Sequence, residues 1–149
     1  MAKICILDAK TLGEDADFTV FNQFGEVVVY DTTSPENVVE RIQDCDIVIT
    51  NKVVLNGSNL QHAPLVKLIC VSATGTNNID LQYTQTRNIT VCNVAGYSTR
   101  SVVQHTFAML FYLLESLGYY DSYVKSGQYA ESKIFTHLDR PFWELYNKT

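Results

Sequence analysis

Leu65-Val66-Lys67-Leu68-Ile69-Cys70-Val71-Ser72-Ala73-Thr74-Gly75-Thr76-Asn77-Asn78-Ile79-Asp80 is the stretch whose reading decides the fold class. Its first seven residues are apolar except Lys67, as expected of a buried strand. The run passes directly into small polar residues around one glycine, and Asp80 stands where it can cap a following helix. A strand that ends in such a turn leaves backbone N–H groups free to meet a small anion. In an α/β sheet the carboxyl end of a strand is also where ligands sit. The segment therefore predicts both a βα unit and a place for a small carboxylate or phosphate.

Four further apolar runs share that character: Lys3–Asp8, Glu26–Tyr30, Asp46–Thr50 and Thr90–Val94. Most are continuously apolar rather than alternating, the mark of parallel strands covered on both faces. Helical segments fall between them. Ala16–Phe24 has apolar residues at helical spacing. Ser34 can cap a helix with Pro35 at its first position, running to about Ile42. Asn56–His62 and Asp80–Arg87 are short helices. The alternation predicts a flavodoxin-like, doubly wound, five-stranded parallel sheet with strand order 2-1-3-4-5 and right-handed crossovers.

After residue 97 the pattern changes. Ser98 or Thr99 caps a long helix, Ser101–Leu117, with Gly118 expected to close it. Val102, Val103, Phe107, Ala108, Met109, Leu110, Phe111, Tyr112, Leu113, Leu114 and Leu117 make it apolar nearly all round. A helix on one sheet needs a single apolar face, so a second partner is expected, either another domain or another subunit. Gln104 and His105 interrupt the segment, and it falls short of a membrane span. The remainder, Tyr119–Thr149, is aromatic and polar, helical to about Gly127, with no core of its own. Its aromatic side chains must dock on something. Two regions follow, 1–97 and 98–149.

The bulk numbers fit one globular domain able to bury a core: 149 residues, 46% hydrophobic and 18% charged. A net charge of -5 with no local basic cluster argues against a nucleic-acid partner. The start, Met1–Asp8, is too briefly apolar for a signal peptide or a membrane anchor. Cys5, Cys45, Cys70 and Cys92 form no C-x-x-C pair, and strand cysteines behave as small buried hydrophobes. Reduced thiols imply a cytoplasmic location.

Four loops gather at the carboxyl ends of the strands: Asp8–Lys10, Thr50–Val53, Ala73–Thr76 and Asn93–Thr99. Lys52 offers a cation, Thr74 and Gly75 offer backbone donors, and Tyr97 offers a hydroxyl and an apolar wall. Taken singly, Lys52 is a solvated surface lysine and Tyr97 a packing residue. Convergence on one rim of the sheet raises both above that. Other chemistries find no support. His62, His105 and His137 lack metal-ligand spacing, and His105 in its apolar helix suits an interface better than a base. The sequence has no G-x-S-x-G elbow, no Walker loop and no G-x-G-x-x-G. The third strand ends Thr50-Asn51-Lys52, without the phosphate-accepting aspartate of a receiver domain.

Ala73–Asp80 followed by Asn93-Val94-Ala95-Gly96-Tyr97-Ser98-Thr99-Arg100-Ser101-Val102-Val103-Gln104-His105-Thr106 resembles the NAD-dependent D-isomer-specific 2-hydroxyacid dehydrogenases, most closely the glycerate dehydrogenase (hydroxypyruvate reductase) branch. The resemblance extends to Phe142-Trp143-Glu144-Leu145. It implies that 1–97 is the N-terminal part of a substrate-binding domain. Residues 98–149 would be an interdomain helix and the start of a nucleotide-binding domain, truncated before its glycine-rich loop. It also implies that Thr74 and Gly75 hold the substrate carboxylate, that Lys52 lies near the substrate and that Tyr97 lines the pocket. Val102 would approach the nicotinamide end of NAD, and Ser101–Leu117 would build a homodimer. The catalytic arginine, glutamate and histidine would lie beyond residue 149. Arg87, Arg100, Arg140 and His105 do not match them. The reaction implied is reversible hydride transfer between NAD(H) and a small 2-keto or 2-hydroxy acid, with this chain alone inactive. The alternative is a non-catalytic flavodoxin-like binding or dimerisation module.

Overall fold

The computed structural model describes residues 1–141 and 143–148. The chain forms two compact units, Met1–Tyr97 and Ser98–Thr149. In the first, strands β1 (Ala2–Ile6), β2 (Gly25–Val29), β3 (Ile47–Thr50), β4 (Leu68–Val71) and β5 (Thr90–Asn93) form one sheet. All neighbours are parallel, in the order β2-β1-β3-β4-β5. The expected sheet and strand order are both present.

The connections are shorter and tighter than expected. Thr19–Gln23 is a 3-10 helix rather than an α-helix over 16–24. Pro35 does open a helix, but as a 3-10 turn (Pro35–Asn37) leading into α1 (Val38–Ile42), and the Ser34 side chain makes no cap. The helix α2 (Gly57–Leu60) has a capping box, in which the Asn56 side chain accepts from the Ser58 and Asn59 N–H groups. At α3 (Leu81–Thr86) the Asp80 carboxylate accepts from Tyr83 N at 2.9 Å, the expected cap. Helices of four to six residues have little stability of their own. Packing holds them: Val38 and Ile42 of α1 and Leu60 of α2 are buried in one cluster with Cys5, Leu7, Val48, Ile69 and Val71 on one face of the sheet, and Tyr83 of α3 packs against it. Each such side chain contributes roughly 1.5–3 kcal/mol through burial.

The other face is covered unevenly. Ile4, Ile6, Ala9 and Ile49 are buried there with Phe18 and Phe21 packed over them, but Ile47 and Cys70 are only half-buried. On edge strand β5, Cys92 is exposed. The expectation of strands covered on both faces, with buried cysteines, therefore holds for the central strands only. The reason is geometric: the 16–24 segment reaches β1 and β3 and stops short of β5. Cys5 and Cys45 are fully buried. Hydrogen bonding to Cys45, with burial, holds the Cys5 thiol well above its ordinary range.

At the amino ends of the strands, Asp46 ties β1 to β3. Its carboxylate accepts from Lys3 N at 3.0 Å and Lys67 Nζ at 3.1 Å, while its own N–H donates to Lys3 O. These bonds, chiefly that from the Lys3 backbone, hold its pKa below the ordinary 3.8. Beside it, Gly25 comes so close to β1 that an added Cβ would stand 1.9 Å from the Ala2 carbonyl oxygen.

In the second unit, α4 (Thr99–Leu114) carries no buried residue, and Val102, Val103, Phe107, Met109, Leu110, Phe111, Tyr112 and Leu113 are all exposed. It ends earlier than expected. Ser116 in the left-handed region (φ 49°) breaks the chain direction, and Gly118 lies inside the next helix, α5 (Leu117–Lys125). A second short helix, α6 (Gln128–Glu131), follows Gly127. Tyr119, Tyr120, Tyr123 and Tyr129 dock on one another and on His137, whereas Phe135, Trp143 and Tyr146 are exposed. Tyr123 stacks on His137 at 3.8 Å between centroids, Tyr119 Oη and His137 Nε2 share a hydrogen bond of 2.6 Å, and Arg140 lies over the Tyr119 ring. Of the Phe142–Leu145 and Trp143–Thr149 segments, Phe142 and Thr149 lie outside the described residues. Among the described residues no helix is long and apolar enough to cross a membrane.

Two outcomes follow. Gly25→Ala forces β1 and β2 apart and is expected to cost about 3 kcal/mol by urea unfolding, as overpacking does. The Asp46 carboxyl is held below its unfolded value, so its stabilisation is complete above pH 3.8 and is lost as pH falls through the folded pKa. Asp46→Asn should therefore be less stable than the parent near neutrality, and the gap should close on acidification, as measured by unfolding at a series of pH values.

Candidate functional site

The site is built on two adjacent strand ends. β3 runs into Asn51-Lys52-Val53, and β4 runs into Ser72–Asn78. Ser72 N donates to Thr50 O at 2.8 Å, which carries the sheet pairing one step further. Beyond it the two loops are stitched together again. Leu55 and Ile79 form a parallel bridge, with Leu55 N donating to Asn78 O and Asp80 N to Leu55 O, both at 2.9 Å. The Asn78 side chain donates to Val53 O at 3.0 Å. Leu55 and Ile79 are buried and anchor this second tier in the core.

Between the two loops lies a cavity of about 200 Å³ lined by Asn51, Lys52, Ala73, Gly75, Asn77 and Asn78. Among the described residues, the N–H groups of Thr74, Gly75 and Thr76 donate to no protein acceptor. Gly75 has no left-handed φ, and an added Cβ would meet nothing within 4 Å. The backbone does not require glycine there. What its hydrogen leaves is open space on the cavity wall. Free main-chain donors beside an ammonium group on a flexible four-carbon stem suit a small carboxylate.

Of the residues singled out from sequence, Lys52 and Gly75 share this cavity. Thr74 is adjacent to it, but its hydroxyl donates to Val94 O at 3.1 Å, and its carbonyl accepts from the Asn93 side chain at 2.7 Å. Those bonds hold the turn against the loop after β5. Tyr97 is exposed and lies outside the cavity lining. Val102 is exposed on α4, in the second unit. Arg87 donates to Leu60 O and Tyr83 Oη, a structural engagement. A larger cavity, about 510 Å³, borders the ends of β1 and β2. Its charged residues, Lys10, Glu14 and Asp31, are of mixed sign and all exposed, so it presents no concentrated charge to a ligand.

Sequence reasoning placed Asp8 and Asn51 in the rim loops but assigned no role to them, nor to Asn77 and Asn78. Asp8 is 4% exposed and accepts from the N–H groups of Asn51 (2.8 Å), Lys52 (2.6 Å) and Val53 (3.3 Å). The signal was available: an acid ending an apolar strand at the sheet's carboxyl edge must find donors there.

The family model for the "D-isomer specific 2-hydroxyacid dehydrogenase, catalytic domain" matches residues 4–137. The chain is similar to glycerate dehydrogenase of Methylorubrum extorquens, 34% identical over 99% of this chain and 46% of that protein. It is similar also to hydroxypyruvate reductase of Blautia hydrogenotrophica, 33% identical over 98% of this chain and 47% of that protein. Among solved structures, an acyclic imino acid reductase (Bsp5) has 21% identity and a TM-score of 0.76, covering 95% of this chain and 44% of that one. D-Lactate dehydrogenase from Aquifex aeolicus, solved with NAD and lactic acid, has 23% identity and a TM-score of 0.68, covering 91% and 40%. These two likenesses show the fold. The chain spans about half the length of the curated relatives it matches.

Gly75→Ala separates binding from stability. The variant should unfold at the same denaturant concentration as the parent or slightly higher, since replacing glycine at an unstrained position restricts the unfolded chain. Its affinity for a small carboxylate such as lactate, followed by amide shifts of residues 74–76, should fall about tenfold as the methyl group enters the cavity.

Proposed function

The chain belongs to the D-isomer specific 2-hydroxyacid dehydrogenase family, and from that premise we propose that it forms the N-terminal substrate-binding part of such an enzyme. Residues 1–97 are the N-terminal part of the substrate-binding domain, and 98–149 are an interdomain helix with the start of a nucleotide-binding domain. The observation that carries this reading is the joining of Lys52 and Gly75 in one cavity beside three unpaired backbone N–H groups. A 2-keto acid such as hydroxypyruvate, or its 2-hydroxy counterpart glycerate, presents one carboxylate next to the reacting carbon. The main chain at Thr74 and Gly75 binds that carboxylate. The Lys52 ammonium adds a charge that neutral analogues do not engage.

NAD, when bound in the whole enzyme, supplies or accepts the hydride. The residues of this chain do not build a dinucleotide site, because the sequence holds no glycine-rich phosphate loop. Their contribution on that side is Val102, at the start of α4, as an apolar surface toward the nicotinamide. The arginine and the histidine–glutamate pair implied for the chemistry match no position here. This chain therefore orients the substrate and by itself transfers nothing. The exposed apolar faces of α4 suit pairing with a second copy of the chain, since patches of that size rarely remain in water. The reduced cysteines suit the cytoplasm.

Calorimetric titration of the 149-residue chain with D-glycerate, hydroxypyruvate and glycerol tests the reading. The two acids should bind and glycerol should not, and Lys52→Gln should weaken the acids about tenfold without changing the thermal midpoint. Equal heats for D-glycerate and glycerol would remove the carboxylate cradle. With NADH and hydroxypyruvate together, absorbance at 340 nm should stay constant. Light scattering should give a dimer that Leu110→Glu with Phe111→Glu dissociates. A dimer without acid binding would favour the non-catalytic dimerisation module instead.

A further inference from the structure

The strand order reverses between β1 and β3, and in doubly wound sheets the crevice at that point takes a ligand. Here the position is filled from within. Asp8, two residues past the end of β1, is 4% exposed. Its Oδ2 accepts from Lys52 N at 2.6 Å, Asn51 N at 3.1 Å, Val53 N at 3.3 Å and Thr50 Oγ1 at 3.3 Å, and its Oδ1 accepts from Asn51 N at 2.8 Å. Three consecutive N–H groups turned on one anion form a nest of the kind that binds phosphate elsewhere. Among the described residues no lysine, arginine or histidine pairs with Asp8. Its charge is met by main-chain dipoles and a hydroxyl alone. The loop is braced from outside as well. Asn51 Nδ2 donates to Thr11 Oγ1 at 3.0 Å, and Thr11 Oγ1 donates to Asp8 O at 2.7 Å.

We propose that Asp8 is a positioning residue of the substrate cradle: an internal carboxylate that occupies the β3 nest and thereby holds Lys52 beside the 73–78 turn. This rests on the function proposed above for the Lys52–Gly75 cavity. Two consequences follow from the geometry. The Asn51 and Lys52 N–H groups are spent on Asp8, and that of Val53 is shared between Thr50 Oγ1 at 3.0 Å and Asp8 at 3.3 Å, so a ligand carboxylate is confined to the Thr74–Thr76 donors and the Lys52 ammonium. And Lys52, whose own N–H makes the 2.6 Å bond, has its backbone fixed while its side chain remains exposed. Asparagine at position 8 keeps the shape but replaces one acceptor oxygen with an NH₂ group facing N–H donors.

Amide hydrogen exchange on the 149-residue chain tests the nest directly. In the parent, the Asn51, Lys52 and Val53 amides should be protected, with the Lys52 proton strongly downfield. An unprotected Lys52 amide would overturn the proposal without any variant, so failure of a variant to fold does not shield it. In Asp8→Asn those three amides should exchange at least about tenfold faster while the β4 amides keep their rates. Unchanged exchange at 51–53 would overturn it. D-Glycerate affinity of Asp8→Asn, Lys52→Gln and the double variant then separates positioning from general stability. If Asp8 acts through Lys52, the double variant binds no more weakly than Lys52→Gln, whereas additive losses would overturn the proposal. If the parent binds no D-glycerate, the cradle reading fails and the exchange data alone decide for or against Asp8 as the anion of the nest.

Discussion

A carboxylate buried at the end of a strand must be met by donors, and in this chain that requirement organises the whole functional edge of the sheet. Asp8 draws the N–H groups of three consecutive residues after β3 onto itself. The loop those residues form is the one that carries Lys52. Desolvating an anion is costly unless it is fully hydrogen-bonded, so the arrangement is close to all-or-none. The Leu55–Ile79 bridge and the Asn78 side chain then join that loop to the turn after β4. Charge satisfaction at β1, β3 and β4 thus produces one rigid rim, and the cavity is the gap left within it.

The two faces of the sheet have different physical characters. On one, three short helices survive only because their few apolar side chains reach a continuous buried cluster. On the other, the aromatic residues of 18–24 cover the inner strands, and an apolar hollow lined by Ile47, Leu68 and Cys70 stays accessible. With the apolar α4 surface, this leaves more exposed hydrophobic area than a monomeric domain ordinarily carries.

Much of the fold was legible because its signals are local. Continuous apolar runs gave the five strands, and Asp80 and Asn56 marked helix starts through side chains that bond to backbone two or three residues away. The errors have equally plain causes. Gly118 looked like a helix terminator, yet Ser116 took the left-handed turn, because a non-glycine residue can occupy that region where surrounding structure compensates its strain. Cys92 resembled the other strand cysteines, but burial depends on what lies over a strand and not on the strand's own composition. In the aromatic segment after α4, Tyr119 and Tyr123 find partners within the segment around His137.

By itself the sequence determined the parallel sheet, its order and the rim on which Lys52, Thr74 and Gly75 fall, since hydrophobic period and strand–turn–helix alternation are properties of neighbouring residues. It also carried the paired motifs, 73–80 and 93–106, that mark the family. Only the tertiary structure decided which of those residues share a cavity, that Thr74 spends its side chain on the β5 loop, and that Asp8 is the acid on which the Lys52 loop closes. Those relations join positions 20 or more residues apart, and 43 to 45 apart for Asp8 with Asn51 to Val53. Hydrogen bonds of that kind depend on register and distance across the sheet, which no local pattern encodes.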